Sequence, residues 1–384
     1  MALPLLQTKL YTPPLRPKLV QRAHLLARLH GGTRQRLTLV SAPAGFGKTT
    51  LVSAWASQAE HPVAWLSLAD DDNDPFHYFT YLIAALQTCH PGLGETVLTL
   101  IAEPQPPPLN VLLTLLLNEL SAHQTPLTLV LDDYHLITAQ PLHEAMTFFI
   151  NHLPPHLHLV IATRLDPPLP LARWRVRNQL TEIRAAELRF LPAEATNFLN
   201  DVMGLRLTAA QIATLETRTE GWIAGLQLAA LALQGTLALQ GAPSLPGRDD
   251  VASFLQAFSG SHRHVLSYLV EEVLNRCPAD MLDFLLQTAI LDRFSAPLCA
   301  TVTGRSDSQQ LLEQIEQANL FLTPLDNARQ WYRYHPLFTD VLRQQLPQRF
   351  SAAAVADLHR RASIWYKEAE LLDEAIQHAL AAQA

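Results

Sequence analysis

A short apolar strand, Leu37-Thr38-Leu39-Val40, runs directly into Ser41-Ala42-Pro43-Ala44-Gly45-Phe46-Gly47-Lys48-Thr49-Thr50, and a helix begins near Lys48. A strand, a glycine-bearing turn and a helix N-terminus in this order make a phosphate cradle. The glycines let the backbone turn tightly enough to aim several N–H groups at one anion, and the helix adds the positive end of its dipole. Ala44, Gly45, Phe46, Gly47, Lys48, Thr49 and Thr50 are therefore the candidate phosphate contacts. Lys48 reaches the β- and γ-phosphates and the Thr49 hydroxyl ligates Mg²⁺. The first glycine of Gly-x-x-x-x-Gly-Lys-Ser/Thr is Ala42 in this chain. The competing reading is an ordinary glycine turn, against which the flanking strand, the helix and the Lys-Thr pair all weigh.

Such a loop needs a buried parallel sheet behind it. Five short apolar runs alternate with helical stretches through the first half: residues 37–41, 63–68, 127–132, 158–163 and, less clearly, 180–184. They are rich in Leu and Val with little alternation, as strands covered on both faces should be. Helices are expected over residues 49–59, 75–86 and 110–123, the last two separated by the stiff Pro104-Gln105-Pro106-Pro107-Pro108 tract. That tract has a second reading as a docking site for a proline-recognising partner.

After about residue 190 the strand signals fade. Helices are expected from Pro192 to about Met203, after a cap at Thr208, and over residues 221–233 with Trp222, Leu226 and Ala229 on one face. Residues 234–250 hold Gly, Pro and Ser with little periodicity and read as a linker, with helices resuming at Val251. From 297 to 346 the order is short helix, turn, helix (309–318), then extended pieces at 321–325 and 331–334 around the turn Asp326-Asn327-Ala328-Arg329, which is a winged-helix outline. Residues 352–382 read as a helix pair opening an α-solenoid. The expected fold is thus α/β followed by all-α. It comprises a P-loop nucleotide-binding domain at 1–190, a small helical domain with linker at 191–250, a winged-helix domain at 251–346 and the start of a helical repeat region at 347–384.

Composition narrows the class. At 384 residues, 48% apolar and 16% charged, the chain is long enough for several cores and leans to helix. Its net charge of -7 provides no field to gather nucleic acid. Cys89, Cys277 and Cys299 are odd in number and far apart, and read as reduced, buried thiols in a cytoplasmic protein. No apolar run approaches a membrane span, and the brief, proline-broken N-terminus is not a signal peptide.

A second motif joins the first. Leu127-Thr128-Leu129-Val130-Leu131-Asp132-Asp133 is an apolar strand ending in two carboxylates, expected beside the P-loop strand. Asp132 is the candidate for the Mg²⁺ shell and Asp133 for orienting or deprotonating the attacking water. Leu159-Val160-Ile161-Ala162-Thr163-Arg164 delivers an arginine to the carboxyl edge of the sheet, where Arg164 can sense a γ-phosphate or simply pair with Asp166. Arg173, Arg175 and Arg177 read as a solvated face.

Six pieces in order carry a resemblance: Thr8-Lys9-Leu10; the P-loop written Ala-Pro-Ala-Gly-Phe-Gly-Lys-Thr-Thr; Leu131-Asp132-Asp133-Tyr134-His135; Thr163-Arg164-Leu165-Asp166-Pro167-Pro168; Glu220-Gly221-Trp222-Ile223-Ala224-Gly225-Leu226; and Trp331-Tyr332-Arg333-Tyr334-His335-Pro336-Leu337-Phe338. Together they resemble the MalT type of large LuxR-family ATP-binding transcriptional activators, within the STAND class of signal-transduction ATPases. The resemblance implies a switch with slow hydrolysis, closed around ADP and opened by ATP and an inducer, which self-associates when ATP-bound. It implies that Lys48, Thr49, Asp132, Asp133 and Arg164 hold ATP or ADP with Mg²⁺, that His335 touches the β-phosphate in the closed state, and that Arg16 and Val20, within residues 16–22, lie against the adenine. A core histidine bonded to backbone is the other reading of His335.

Full members continue into a long repeat sensor and a C-terminal LuxR-type helix-turn-helix, whereas this sequence stops at Ala384, which fits either a piece of a larger regulator or a short relative. DNA would then be met only through that further domain. Residues 301–384 carry eight Arg and Lys against ten Asp and Glu, a poor balance for a DNA-reading winged helix. The rival functional reading is a metabolic P-loop kinase with a helical substrate domain.

Overall fold

The structure, a computed structural model, describes residues 5–239, 254, 258–260 and 262–383. The chain divides into two compact units, residues 1–42 with 46–188 and residues 43–45 with 189–384.

The first unit is a five-stranded parallel sheet: β1 (Leu37–Ser41), β2 (Val63–Ser67), β3 (Leu127–Asp132), β4 (Leu157–Thr163) and β5 (Leu180–Arg184), in the order β2-β3-β4-β1-β5. β1, β3 and β4 are buried along their whole length, which is why they read as continuous apolar runs. The expectation that the acidic strand lies beside the P-loop strand is corrected: β4 lies between β3 and β1, pairing with both. Three equally apolar runs leave their neighbours undetermined by composition. Order follows from which crossovers the helices can make. The two motifs still meet because both end at the carboxyl edge.

Helices Lys48–Ala56, Pro75–Gln87, Leu109–Ala122 and Gln140–Asn151 connect the strands. Asp74 caps Pro75–Gln87 by accepting from the His77 amide at 2.8 Å. A helix that the sequence did not announce, Glu95–Ile101, precedes the proline tract.

The second unit is helical. Pro192–Thr196 continues as a π-helical stretch, Asn197–Val202, and Thr208 caps Ala209–Thr219 reciprocally with Gln211. The next helix runs Ile223–Leu239, so the expected linker cannot begin at 234; its remainder, and the resumption of helix at Val251, fall on or beside residues outside those described. Trp222, Leu226 and Ala229 are fully buried. After Arg263–Glu272 and Ala279–Thr288 come Ala296–Thr303, Ser308–Gln317 and an antiparallel hairpin, β6 (Leu322–Pro324) and β7 (Tyr332–Tyr334). Asp326 closes that hairpin by accepting from the amides of Gln330 and Trp331. This is the winged helix. Helices Pro336–Arg349, Ala352–Glu368 and Leu372–Ala381 follow. All three cysteines are free; Cys299 is buried, while Cys89 and Cys277 are only half-buried, against expectation. No helix of the described residues is long and apolar enough to cross a membrane.

Candidate functional site: a P-loop and its acidic partners

β1 delivers the chain into the loop, and Gly45 and Gly47 turn it with φ of 77° and 73°. A side chain at either position would be strained, whereas Ala42 is not among the positive-φ residues and tolerates its Cβ. Gly47 is the N-cap of Lys48–Ala56, which places Lys48 and Thr49 in its first turn.

Lys48 is buried and its Nζ donates to the Ala42 carbonyl at 2.8 Å. Burial, aided by the charge of Arg164, pulls its ammonium down to about 8, with Asp133 and Asp132 acting in the opposite sense. Across the sheet, Asp132 is 3% exposed. Its Oδ1 accepts from Thr49 Oγ1 at 3.1 Å and from the Asp133 amide at 3.0 Å. Burial and neighbouring Asp133 push the Asp132 carboxyl up to about 6. Asp133 itself sits in the left-handed region at φ 56°, a conformation that a non-glycine residue holds only when its surroundings impose it. His135 Nδ1 lies 3.8 Å from Asp133 Oδ1.

The carboxyl edge thus gathers Lys48, Thr49, Asp132 and Asp133, with Arg164 close enough to influence Lys48. Thr50 is exposed on the helix, and Ala44 and Phe46 are buried in the loop. Arg16 is exposed and Val20 buried ahead of Ala23–Gly32. Nearby Arg22 is buried and donates to the carbonyls of Leu188 at 2.8 Å and Glu187 at 3.3 Å. His335 is 3% exposed, its Nε2 2.8 Å from the Thr219 carbonyl. A carbonyl only accepts, so the neutral ring carries its proton on Nε2; Nδ1 is buried with no hydrogen-bond partner. Burial draws the ring down to about 4.

Sequence reasoning missed the contacts of two contributors, Asp166, offered only as a partner of Arg164, and Trp222. Asp166 accepts from Ser41 Oγ at 3.0 Å and pairs with Arg184, at the ends of β1 and β5. Trp222, placed only on a helix face, donates its indole N–H to the Ala44 carbonyl at 3.0 Å. Its presence in a segment quoted for the resemblance was the available signal.

The residues fit a magnesium nucleotide. Gly45 and Gly47 give the tight positive-φ turn of a phosphate loop, and Thr49 and Asp132, already touching, offer a hydroxyl and a carboxylate as metal donors. Fold and site together define a P-loop ATPase. An AAA ATPase domain matches residues 18–162 and a MalT winged helix domain matches residues 270–354. The chain is 40% identical over 379 residues, 98% of its length, to the HTH-type transcriptional regulator MalT of Cronobacter sakazakii, and spans 41% of that relative. The chain belongs to the MalT family, of which it spans the AAA ATPase and winged helix domains. Among solved structures, a Walker-type ATPase of Pyrococcus abyssi shares the fold at TM-score 0.58 and 15% identity, covering 86% of this chain and 97% of its own. A STAND protein with a tetratricopeptide repeat sensor from Pyrococcus horikoshii aligns at TM-score 0.43 and 13% identity, over 97% of this chain and 49% of its own. The MalT winged helix does not favour the metabolic-kinase reading.

Proposed function

We propose that this chain is the nucleotide-operated switch of a transcriptional activator, binding ATP and ADP with Mg²⁺ and hydrolysing ATP slowly. The observation that carries the reading is the Thr49–Asp132 contact at 3.1 Å beside buried Lys48, a metal-and-phosphate constellation assembled from two motifs 83 residues apart. Bound Mg²⁺ would neutralise charge on the β- and γ-phosphates. Thr49 and Asp132 hold that ion, Lys48 contacts the phosphates, Asp133 orients the attacking water and accepts its proton, and Arg164 stabilises charge on the γ-phosphate.

The switch requires that ADP and ATP favour different conformations, because a ligand with equal affinity for both shifts neither. In this proposal ADP holds the closed form, with His335 turned to the β-phosphate and Arg16 and Val20 on the adenine. ATP with an inducer opens it to self-association, and DNA is engaged through a domain outside residues 1–384. The winged helix, with Arg333 paired to Glu220 at 2.7 Å, serves the clamp.

Calorimetric titration of ATP and ADP into wild type and Lys48→Ala tests the reading. At least a hundredfold weaker binding is expected in the variant, about 2.7 kcal/mol or more. Equal affinity in the two proteins would overturn it.

A further inference from the structure

Two P-loop carbonyls are held by donors from one short segment. Trp222 Nε1 donates to Ala44 O, and the Ala224 amide donates to Gly45 O, both at 3.0 Å. Residues Pro43–Gly45, Trp222 and Ala224 all belong to the second unit. Trp222 is fully buried and is held in turn by ring contacts with Tyr268 at 5.9 Å, Phe321 at 5.3 Å and His335 at 5.9 Å. The approach is close. A Cβ on Gly45 would lie 2.4 Å from Ala224 Cβ and 2.9 Å from Trp222 Nε1, so the absence of a side chain there serves this contact as well as the turn.

The peptide unit is planar and trans, so a carbonyl and the following N–H point in opposite directions. Fixing Ala44 C=O toward the indole therefore fixes the Gly45 N–H the other way, and fixing Gly45 C=O does the same for the Phe46 N–H. In a phosphate cradle those amides are the binding groups. We propose that Trp222 and Ala224 are positioning residues for phosphate binding: they grip the outward carbonyls of Ala44 and Gly45 and so hold the Gly45 and Phe46 amides in the orientation that receives a nucleotide's β-phosphate. This rests on the nucleotide-binding reading above. It adds that affinity for the phosphate depends on a tryptophan 178 residues from the loop.

Trp222→Phe removes the indole N–H and retains an aromatic ring against Tyr268, Phe321 and His335. The test measures ADP and AMP affinities by competition against a fluorescent nucleotide, with circular dichroism to follow folding. The expected result is that wild type prefers ADP over AMP and that Trp222→Phe shrinks this preference about tenfold while AMP affinity stays within about twofold. An unchanged preference, or equal losses of ADP and AMP, would overturn the proposal. Failure of wild type itself to bind ADP would remove the functional reading instead, and is seen without the variant.

Should Trp222→Phe not fold, the wild-type chain labelled with 5-fluorotryptophan gives a second measurement. Its six tryptophans are assigned by replacing the other five singly, and the Trp222 resonance must shift with ADP but not with adenosine. A resonance indifferent to ADP, or one that shifts equally with adenosine, would refute the proposal.

Discussion

Ala42 stands where the motif usually has glycine, and its backbone shows why the exchange costs nothing: positive φ is needed at residues 45 and 47 only. Its carbonyl, meanwhile, holds Lys48. Asp133 is the opposite case, a side chain kept in a conformation that disfavours it. Asp133→Gly relieves the left-handed strain and Asp133→Ala keeps it without the carboxylate. In chemical denaturation the alanine variant is expected to be about 1 kcal/mol less stable than the glycine variant, with ATP hydrolysis lost in both. Equal stabilities would show that residue 133 relaxes once its carboxylate is gone.

Among elements, Ala209–Thr219 owes its start to a reciprocal pair, with Gln211 Oε1 accepting from the Thr208 amide at 2.8 Å and Thr208 Oγ1 accepting from the Gln211 amide at 3.4 Å. Thr208→Ala is expected to cost about 1 kcal/mol, read as a lower midpoint in urea with an unchanged slope. This cap was legible in the sequence, as were the five strands and the winged-helix order, because caps, apolar runs and turns are local. Strand order was not. β1, β3 and β4 are alike in composition, and what separates them is which helices fit over which pair. Nor was the grip on the P-loop legible: Trp222 reads as one more apolar residue on a helix until the backbone brings its N–H to Ala44. The helix beyond Gln234 was misread because Gly235 lies inside it, where helical context overrides a weak breaker.

At the scale of the molecule, each unit buries a histidine in its neutral form. His158 in the first and His335 in the second are both drawn to about 4 by burial. His158 Nδ1 lies 2.7 Å from the Gln35 carbonyl, which can only accept, so Nδ1 carries the proton and donates it. In the unfolded chain both titrate near 6.5, so the unfolded state takes up protons first. Their contribution is intact above about pH 6.5 and falls away as the pH drops toward 4, by up to about 3 kcal/mol for each site. In urea melts the loss of stability between pH 7.5 and pH 5 is expected to be smaller in His158→Gln than in wild type, while Asp132, whose carboxyl is pushed up to about 6, acts in the opposite sense in both proteins. An equal loss in the two proteins would contradict the buried neutral state of His158.

Pro43–Gly45 group with residues 189–384, so the division of the chain into two compact units passes through the phosphate loop. A gene truncated after codon 188 would still spell every letter of the motif. Its product would nonetheless lack Trp222 and Ala224, the donors that hold the Ala44 and Gly45 carbonyls. On the proposal that Trp222 and Ala224 position the loop, an ATPase half exchanged between relatives is expected to keep its phosphate affinity only where the segment around Trp222 travels with it.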